Sequence, residues 1–225
     1  MKVKLILVSL FVFVVTGPIY GQYLHPKVTG KQTQIRNVVM LPAKVEVVRQ
    51  SMKGPEGMAA ESDLLSTRVS QLVSEALASK HITVLAAAPA GAGEGDAQQK
   101  YTVADIQTRY DALLPKIEKK RKDVKKGRFS LGDEVLNLHL DKSADAIVFI
   151  RGQGQKLTKG KTAFTLLVGG LPAYLQLMIG VVDAHTGEVL VFTNPLTRGD
   201  ATSASDKGLL KALENSLKKL PPGGQ

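Results

Sequence analysis

The order of apolar and polar residues along the chain predicts an alternation of strands and helices. Continuous or alternating apolar stretches, rich in β-branched residues, predict strands at residues 37–48, 82–85, 146–150, 174–183 and 188–193. Apolar residues three and four positions apart predict helices at residues 62–79, 102–128, 131–140 and 205–220. This mixture predicts an α/β fold in which a mixed sheet is packed with helices in a two- or three-layer sandwich.

The helical periodicity also predicts which side chains face the core. In the helix at residues 62–79, with Ser62 as its cap, the apolar stripe consists of Leu65, Val69, Leu72 and Ala76 and their neighbours Leu64, Val73 and Leu77. In the last helix the stripe consists of Leu209, Leu210, Leu213, Leu217 and Leu220. Both stripes are wide enough to form one buried face of a helix.

The first 21 residues have the three parts of a secretory signal peptide. Lys2 and Lys4 form a basic start, residues 5–15 form an apolar run interrupted by Ser9, and Gly21 is a small residue suited to cleavage. The apolar run is shorter than the roughly 20 residues that a membrane-spanning helix needs. We therefore expect an exported protein that works in the periplasm. The alternatives are association with the outer membrane and anchoring by an uncleaved leader.

Composition divides the rest of the chain into segments. Residues 22–36 contain Pro26 and Gly30 and show no periodicity, which predicts a loose lead-in. Residues 37–220 are predicted to form a single α/β domain, and residues 221–225 a tail that begins with two prolines. Within the domain, the alanine- and glycine-rich residues 86–99 predict a flexible linker.

Several kinds of catalytic and metal site are excluded or disfavoured by composition. The chain has no cysteine, which excludes disulfides, thiol nucleophiles, thiolate zinc sites and a lipoprotein anchor. No two of the four histidines are three or four residues apart, so none forms a helical metal-binding pair. No serine lies in a Gly-x-Ser-x-Gly elbow. We assign no catalytic residue, metal ligand or cofactor site, and we expect the protein not to be an enzyme.

A tight turn at residues 183–188 supplies the alternative to that expectation. Asp183 and Glu188 bracket the turn and His185 lies within it. Two carboxylates that face one cleft can perform acid–base chemistry, which would make the protein an envelope hydrolase. Carboxylates across a hairpin turn more often cap the turn and point to water. We favour the capping role.

Residues 154–162 end in Gly-Lys-Thr after a predicted strand, as a phosphate-binding loop does. Five residues separate Gly154 from Gly160, however, whereas that loop needs four. We predict a basic hairpin loop instead.

The most apolar part of the mature chain is residues 163–182. Gly169, Gly170 and Pro172 divide it into two pieces, each of the length of a strand or a short helix. We predict two buried elements. The alternative is a segment that enters a membrane as part of an oligomeric channel.

Positive charge is concentrated between residues 116 and 128, within a net charge of +10. The basic residues of this stretch are Lys116, Lys119, Lys120, Arg121, Lys122, Lys125, Lys126 and Arg128. They are predicted to lie on the tail of a helix kinked at Pro115 and are the candidate binding surface, for anionic lipid headgroups or an acidic envelope polymer. A solvated helix face is the alternative. Nucleic acid is not expected, because the chain has no Trp and few aromatic side chains for base stacking.

Three motifs occur in order between residues 37 and 190. They are Asn37-Val-Val-Met-Leu-Pro, the pair Leu131-Gly-Asp-Glu and Ser143-Ala-Asp-Ala-Ile-Val, and Val182-Asp-Ala-His-Thr-Gly-Glu-Val-Leu. Together they resemble the curli-secretion component (the CsgG-like group) and the amino-terminal domain of the Tol-system periplasmic protein. The resemblance implies a non-catalytic role in assembly, secretion or maintenance of the bacterial envelope, with envelope proteins or further copies of the chain as partners. The chain lacks the lipid-anchor cysteine of many such proteins.

Overall fold

The computed structural model describes residues 21–85, 95–140, 142–168 and 172–223. For residues 95–101, 166 and 168 this description is confined to the backbone. The signal peptide predicted at residues 1–21 lies outside the described residues except for Gly21, and so does most of the linker predicted at residues 86–99.

The described residues form nine strands and five α-helices. The strands are β1 (Gln22–Leu24), β2 (Asn37–Met40), β3 (Lys44–Ser51), β4 (Gly54–Gly57), β5 (Thr83–Leu85), β6 (Ala146–Leu157), β7 (Tyr174–Asp183), β8 (Val189–Thr193) and β9 (Leu196–Arg198). The helices are α1 (Pro26–Thr29), α2 (Ala59–Ala78), α3 (Gly95–Lys119), α4 (Lys159–Val168) and α5 (Asp206–Ser216). Two 3₁₀ helices, Arg121–Lys126 and Asp133–Leu138, follow α3.

One mixed sheet contains all nine of these strands, and β6 lies at its centre. The order across the sheet is β1-β8-β7-β6-β2-β5, with β3 also paired to β6, β4 to β3 and β9 to β7. β6 and β7 form a long antiparallel pair, with paired residues from Ala146 and Asp183 to Gln155 and Tyr174. The structure confirms the predicted fold class.

The stretch predicted as one strand at residues 37–48 is two strands on either side of Pro42. Both run parallel to β6: β2 pairs with its beginning, at Ala146–Val148, and β3 with its later part, at Arg151–Leu157. Proline has no N–H to donate to a sheet, so it interrupts the pairing. The long strand β6 thus pairs first with β2 and then with β3 along its length.

Helices cover both faces of the sheet, which makes the fold three-layered. On one face, strand residues such as Val148 and Ile150 pack in a core with Leu65 and Val69 of α2 and the buried leucines of α5. On the other face, alternate strand residues pack with α3 and the two 3₁₀ helices. The predicted stripe of α2 is buried except for Leu64, which is 72% exposed.

Residues 22–36 differ from the prediction of a loose lead-in. β1 pairs antiparallel with β8, and α1 begins directly after His25 and buries Val28. A strand of three residues is too short to show a period of two, so the sequence pattern did not reveal it.

The segment predicted as a hairpin loop at residues 154–162 is also different. β6 continues through Gly154 to Leu157, and α4 begins at Lys159. Within the apolar residues 163–182, residues 163–168 belong to α4 and residues 174–182 to β7, so the segment forms two separate elements as predicted. β7 is largely buried, but Phe164 and Leu167 of α4 are exposed. No helix in the described part of the chain is both long and apolar enough to cross a membrane.

Three predicted helix boundaries change in the structure. α2 begins at Ala59 after Met58, and the Ser62 hydroxyl, predicted as the cap, instead accepts a hydrogen bond from the backbone N–H of Val47. The helix predicted at residues 102–128 is α3 followed by a 3₁₀ helix. The helix predicted at residues 131–140 is a 3₁₀ helix over Asp133–Leu138.

Candidate functional site

The basic residues predicted as a binding surface lie at the end of α3 and in the segment after it, part of which runs beside β1 and β8. α3 ends at Lys119, and the 3₁₀ helix Arg121–Lys126 then passes beside these two strands. Gly127 ends the 3₁₀ helix in the left-handed conformation, with φ 64°. We use the name basic surface for Lys116, Lys119, Lys120, Arg121, Lys122, Lys125, Lys126 and Arg128.

Positive charge on the basic surface is exposed and mostly unpaired. All of its side chains are exposed except Arg121, which is half-buried. Arg121 lies 3.9 Å from Glu118, and Lys126 and Arg128 each lie 3.5 Å from Asp123. Among the described residues, the other five lysines have no carboxylate within ion-pair distance. Eight cations against two local carboxylates give the surface a strong positive potential.

Buried neighbours hold the basic surface against the fold. Val124 and Ile117 are fully buried in the core beneath it. The Lys125 ammonium lies 5.9 Å from the centre of the Tyr23 ring in β1. Gly127 packs directly against the imidazole of His25. The cations are therefore presented on a fixed scaffold and not on a free helix tail.

His25 links the basic surface to the turn after β7. Its Nδ1 accepts a hydrogen bond from the backbone N–H of Lys27 at 3.1 Å and so caps α1. The Lys27 ammonium donates in turn to the Glu188 carboxylate. Burial lowers the pKa of His25, and Glu188 opposes part of that effect. The hydrogen bond from Lys27 holds the pKa of Glu188 below its usual range.

The two carboxylates of the alternative hydrolase site have separate structural roles. Asp183 Oδ1 accepts hydrogen bonds from the backbone N–H groups of His185 and Thr186, both at 2.9 Å. Glu188 pairs with Lys27 instead. The exposed His185 lines a cavity of about 230 Å³ together with His139 and Lys142, but Asp183 and Glu188 are not among the residues that line it. Among the described residues, Asp183 therefore caps the turn and Glu188 forms an ion pair, as the capping role predicts for Asp183.

No group of three or more His, Cys, Asp or Glu side chains in the described part of the chain could hold a metal ion. Sequence reasoning found the eight cations but missed Tyr23 and His25, which support them. These two residues belong to a three-residue strand and to the cap after it, where periodicity gives no signal.

No family model and no curated protein matches the chain. Among solved structures, the PelC dodecamer from Paraburkholderia phytofirmans is similar with 12% identity and a TM-score of 0.44, covering 92% of this chain and 99% of that one. A variant of that dodecamer gives 10% identity, coverage of 89% and 96%, and a TM-score of 0.39. Lipoprotein GNA1162 from Neisseria meningitidis gives 13% identity, coverage of 81% and 93%, and a TM-score of 0.35. All three TM-scores are below 0.5.

Proposed function

We propose that the chain is an exported, non-catalytic protein of the bacterial cell envelope that acts in assembly, secretion or envelope maintenance by binding other envelope components. The basic surface is the observation that carries this proposal. Its eight cations lie at the end of α3 and in the segment after it, with two local carboxylates, so the surface attracts polyanions and acidic protein faces.

The site of action follows from the predicted signal peptide. A basic start, an apolar run and a small residue at Gly21 are the features by which secretory leaders are recognised. A carboxyl-terminal fusion to an alkaline phosphatase, which is active only outside the cytoplasm, tests export directly. Amino-terminal sequencing of the fusion distinguishes a cleaved leader from an anchor. An inactive fusion with an intact amino terminus in the cytosol would contradict the proposal.

The partners are an acidic envelope polymer, envelope proteins or further copies of the chain. The polymer follows from the charge of the basic surface, and the protein partners are implied by the resemblance of the three sequence motifs to the curli-secretion group. Acidic polysaccharide is a suitable probe, because its repeated carboxylates can pair with a group of lysines that have no ion-pair partner among the described residues. At about 0.15 M salt the Debye length is about 8 Å, so the interaction depends on close contact.

The test of the basic surface is a triple charge reversal. Lys119→Glu, Lys120→Glu and Lys122→Glu together change three exposed lysines that have no ion-pair partner among the described residues. We expect immobilised polygalacturonate to bind this variant about tenfold less tightly, since each exposed charge contact contributes up to about 1 kcal/mol. The same variant should fail to complement a deletion of the gene.

The matched control reverses three exposed lysines elsewhere, Lys207, Lys211 and Lys218, on α5 and the turn after it. Both triple variants change the net charge equally, so only the position of the charge differs. Circular dichroism and thermal unfolding establish that both fold. Equal polysaccharide binding and equal complementation by the two variants would overturn the role of the basic surface.

Two substitutions at the turn distinguish binding from hydrolysis. Asp183→Asn keeps an oxygen that accepts the two backbone N–H groups but removes the charge that acid–base chemistry would need. His185→Ala removes an exposed imidazole. We expect both variants to complement the deletion fully. Loss of complementation by folded Asp183→Asn would favour the hydrolase.

A further inference from the structure

A second surface lies beyond the far end of the sheet from the basic surface. α4 presents Gly160, Ala163, Phe164 and Leu167 to solvent, and these residues are spaced as one face of a helix. Phe164 is 44% exposed and Leu167 is 85% exposed. Met52, at the tip of the β3–β4 hairpin, is 65% exposed and lies beside Gly160. We call Met52, Gly160, Ala163, Phe164 and Leu167 the apolar tip.

Amphipathic helices usually bury the apolar stripe, whereas α4 exposes it. Among the α4 side chains whose burial is described, Thr165 is buried, whereas the large apolar side chains of Phe164 and Leu167 are exposed. Exposed contiguous apolar surface of this kind marks a contact with another molecule or with a membrane.

The charges around the apolar tip are positive, as expected of a surface that binds anions. Lys53, Lys159, Lys161 and Arg198 surround this end of the sheet, and none of them has a carboxylate partner among the described residues. The Lys161 ammonium lies 5.5 Å from the centre of the Phe164 ring. Two carboxylates at this end of the sheet already have cationic partners, since Glu56 pairs with Arg49 and Asp200 with Lys156.

The direction of β1 independently indicates which end of the sheet the predicted leader joins. Gln22 pairs with Thr193, which pairs with Ile179, and Leu24 pairs with Val191, which pairs with Val181. Because β6 meets Ile179 at Ile150 and Val181 at Val148, the amino end of β1 points toward the α4 end of the sheet. The predicted leader therefore joins the fold on the side of the apolar tip.

We propose that the apolar tip docks on an anionic phospholipid surface, with Phe164, Leu167 and Met52 at the level of the acyl chains and the surrounding cations at the phosphates. A helix of ten residues is about 15 Å long and lies in the interface without crossing the membrane. Apolar contact and attraction to anionic lipid then act together.

The positive charges around the apolar tip disfavour a second copy of the chain as the partner that covers it. In a symmetric contact between two apolar tips, the unpaired lysines of one copy would face those of the other. Like charges brought together at a desolvated interface are repulsive. A bilayer of anionic lipid offers both the apolar interior and the compensating charge.

The absence of tryptophan from the chain allows a direct test. Leu167→Trp places a single fluorophore on the apolar tip of the full-length protein, and Leu136→Trp places one at a 51% exposed site near the opposite end of the sheet. Vesicles of phosphatidylglycerol and phosphatidylcholine should shift the emission of Leu167→Trp to shorter wavelength. Brominated lipid should quench it, while the emission of Leu136→Trp stays unchanged. This readout locates the contact whether or not the leader is retained.

Each other outcome overturns the proposal. Unchanged emission of Leu167→Trp shows that the tip does not meet lipid. A shift that needs no vesicles and grows with protein concentration identifies a second copy as the occupant. Equal shifts on phosphatidylcholine alone exclude the role of anionic lipid, and equal shifts at both positions indicate non-specific adsorption. None of these results bears on polysaccharide binding by the basic surface, which is tested separately.

Discussion

Gly127 and His25 show how single residues hold the basic surface in place. Gly127 has φ 64°, in the left-handed region, and ends the 3₁₀ helix that carries much of the charge. A Cβ at this position would collide with Nε2 of His25. Glycine is therefore required twice, once for the backbone conformation and once for the close approach.

Gly127→Ala should lower the free energy of unfolding by about 1–3 kcal/mol, because it adds left-handed strain and a clash with His25. Urea unfolding measures the change. The matched control is Gly57→Ala, at a position where an added Cβ meets nothing within 4 Å. Equal stability of the two variants would show that Gly127 carries no such constraint.

His25 makes stability depend on pH. Its imidazole faces Lys27, Glu188 and Asp183, and burial lowers its pKa below the ordinary value of about 6.5. The unfolded chain then binds the proton more readily than the folded one, so stability rises with pH through this window. The contribution of His25 to stability is lost as pH falls below about 6.5 toward the lowered pKa of His25 in the folded chain.

We therefore expect the free energy of unfolding to decrease between about pH 7 and pH 5, and to decrease less in His25→Gln. His185→Gln is the control, since this histidine is exposed in the turn. Urea titrations across this range measure the slope. The loss of the Lys27–Glu188 contribution falls at lower pH, because the pKa of Glu188 is itself lowered. Parallel slopes for wild type and His25→Gln would contradict the assignment.

At the scale of elements, an ion pair and a stacked pair of rings attach α3 to the sheet. Arg151 of β6 is 7% exposed, and its guanidinium lies 2.5 Å and 3.2 Å from the two oxygens of Asp111 in α3. Tyr110 next to Asp111 is stacked on Phe149 of β6, with ring centres 4.4 Å apart. Because α3 leads directly into the basic surface, these contacts also position its cations.

Asp111→Ala should destabilise the fold by about 1–3 kcal/mol, since it leaves the buried Arg151 guanidinium without its charged partner. The value stays below that of a fully buried pair, because the Asp111 side chain is 40% exposed. Asp105→Ala is the control. It removes an exposed pair with Arg109 on the same helix and should cost about 0.5 kcal/mol or less. Equal midpoints of thermal unfolding for the two variants would contradict the role of Arg151.

At the scale of the whole molecule, the basic surface and the apolar tip are separated along the sheet. The 3₁₀ helix Arg121–Lys126 contacts β1 and β8, which lie level with the first half of β6, whereas α4 follows the end of β6 at Leu157. At about 3.3 Å per residue, the separation is roughly 30 Å. This is several Debye lengths at physiological salt, so the two surfaces act independently.

We predict that the basic surface and the apolar tip act independently. The triple charge reversal at Lys119, Lys120 and Lys122 should leave the vesicle response of Leu167→Trp unchanged at about 0.15 M salt. Conversely, Leu167→Trp should bind polygalacturonate as tightly as the wild type, because sites this far apart contribute additively. Combining the substitutions in one chain and measuring both activities checks this. Loss of both activities in either parent variant would mean that a single surface serves both.

Much of the fold was predictable because the pattern is local. Leu65, Val69 and Leu72 recur at helical spacing and are buried in α2, and Ser205 caps α5 where that helix begins. The β7–β8 hairpin was equally clear, because its turn ends at a glycine with φ 69°. The eight cations of the basic surface were found for the same reason, since they are neighbours in the sequence.

The sequence alone determined the properties that depend on near neighbours. These are the fold class, the long helices and strands, and the position of the concentrated charge. The tertiary structure decided that β1 closes one edge of the sheet, that β2 and β3 share β6 as a partner, and that α4 turns Phe164 and Leu167 outward. The reason is that pairing and exposure depend on residues far apart in the chain. Gln22 meets Thr193, and the periodicity of a short segment contains no information about a partner at that distance.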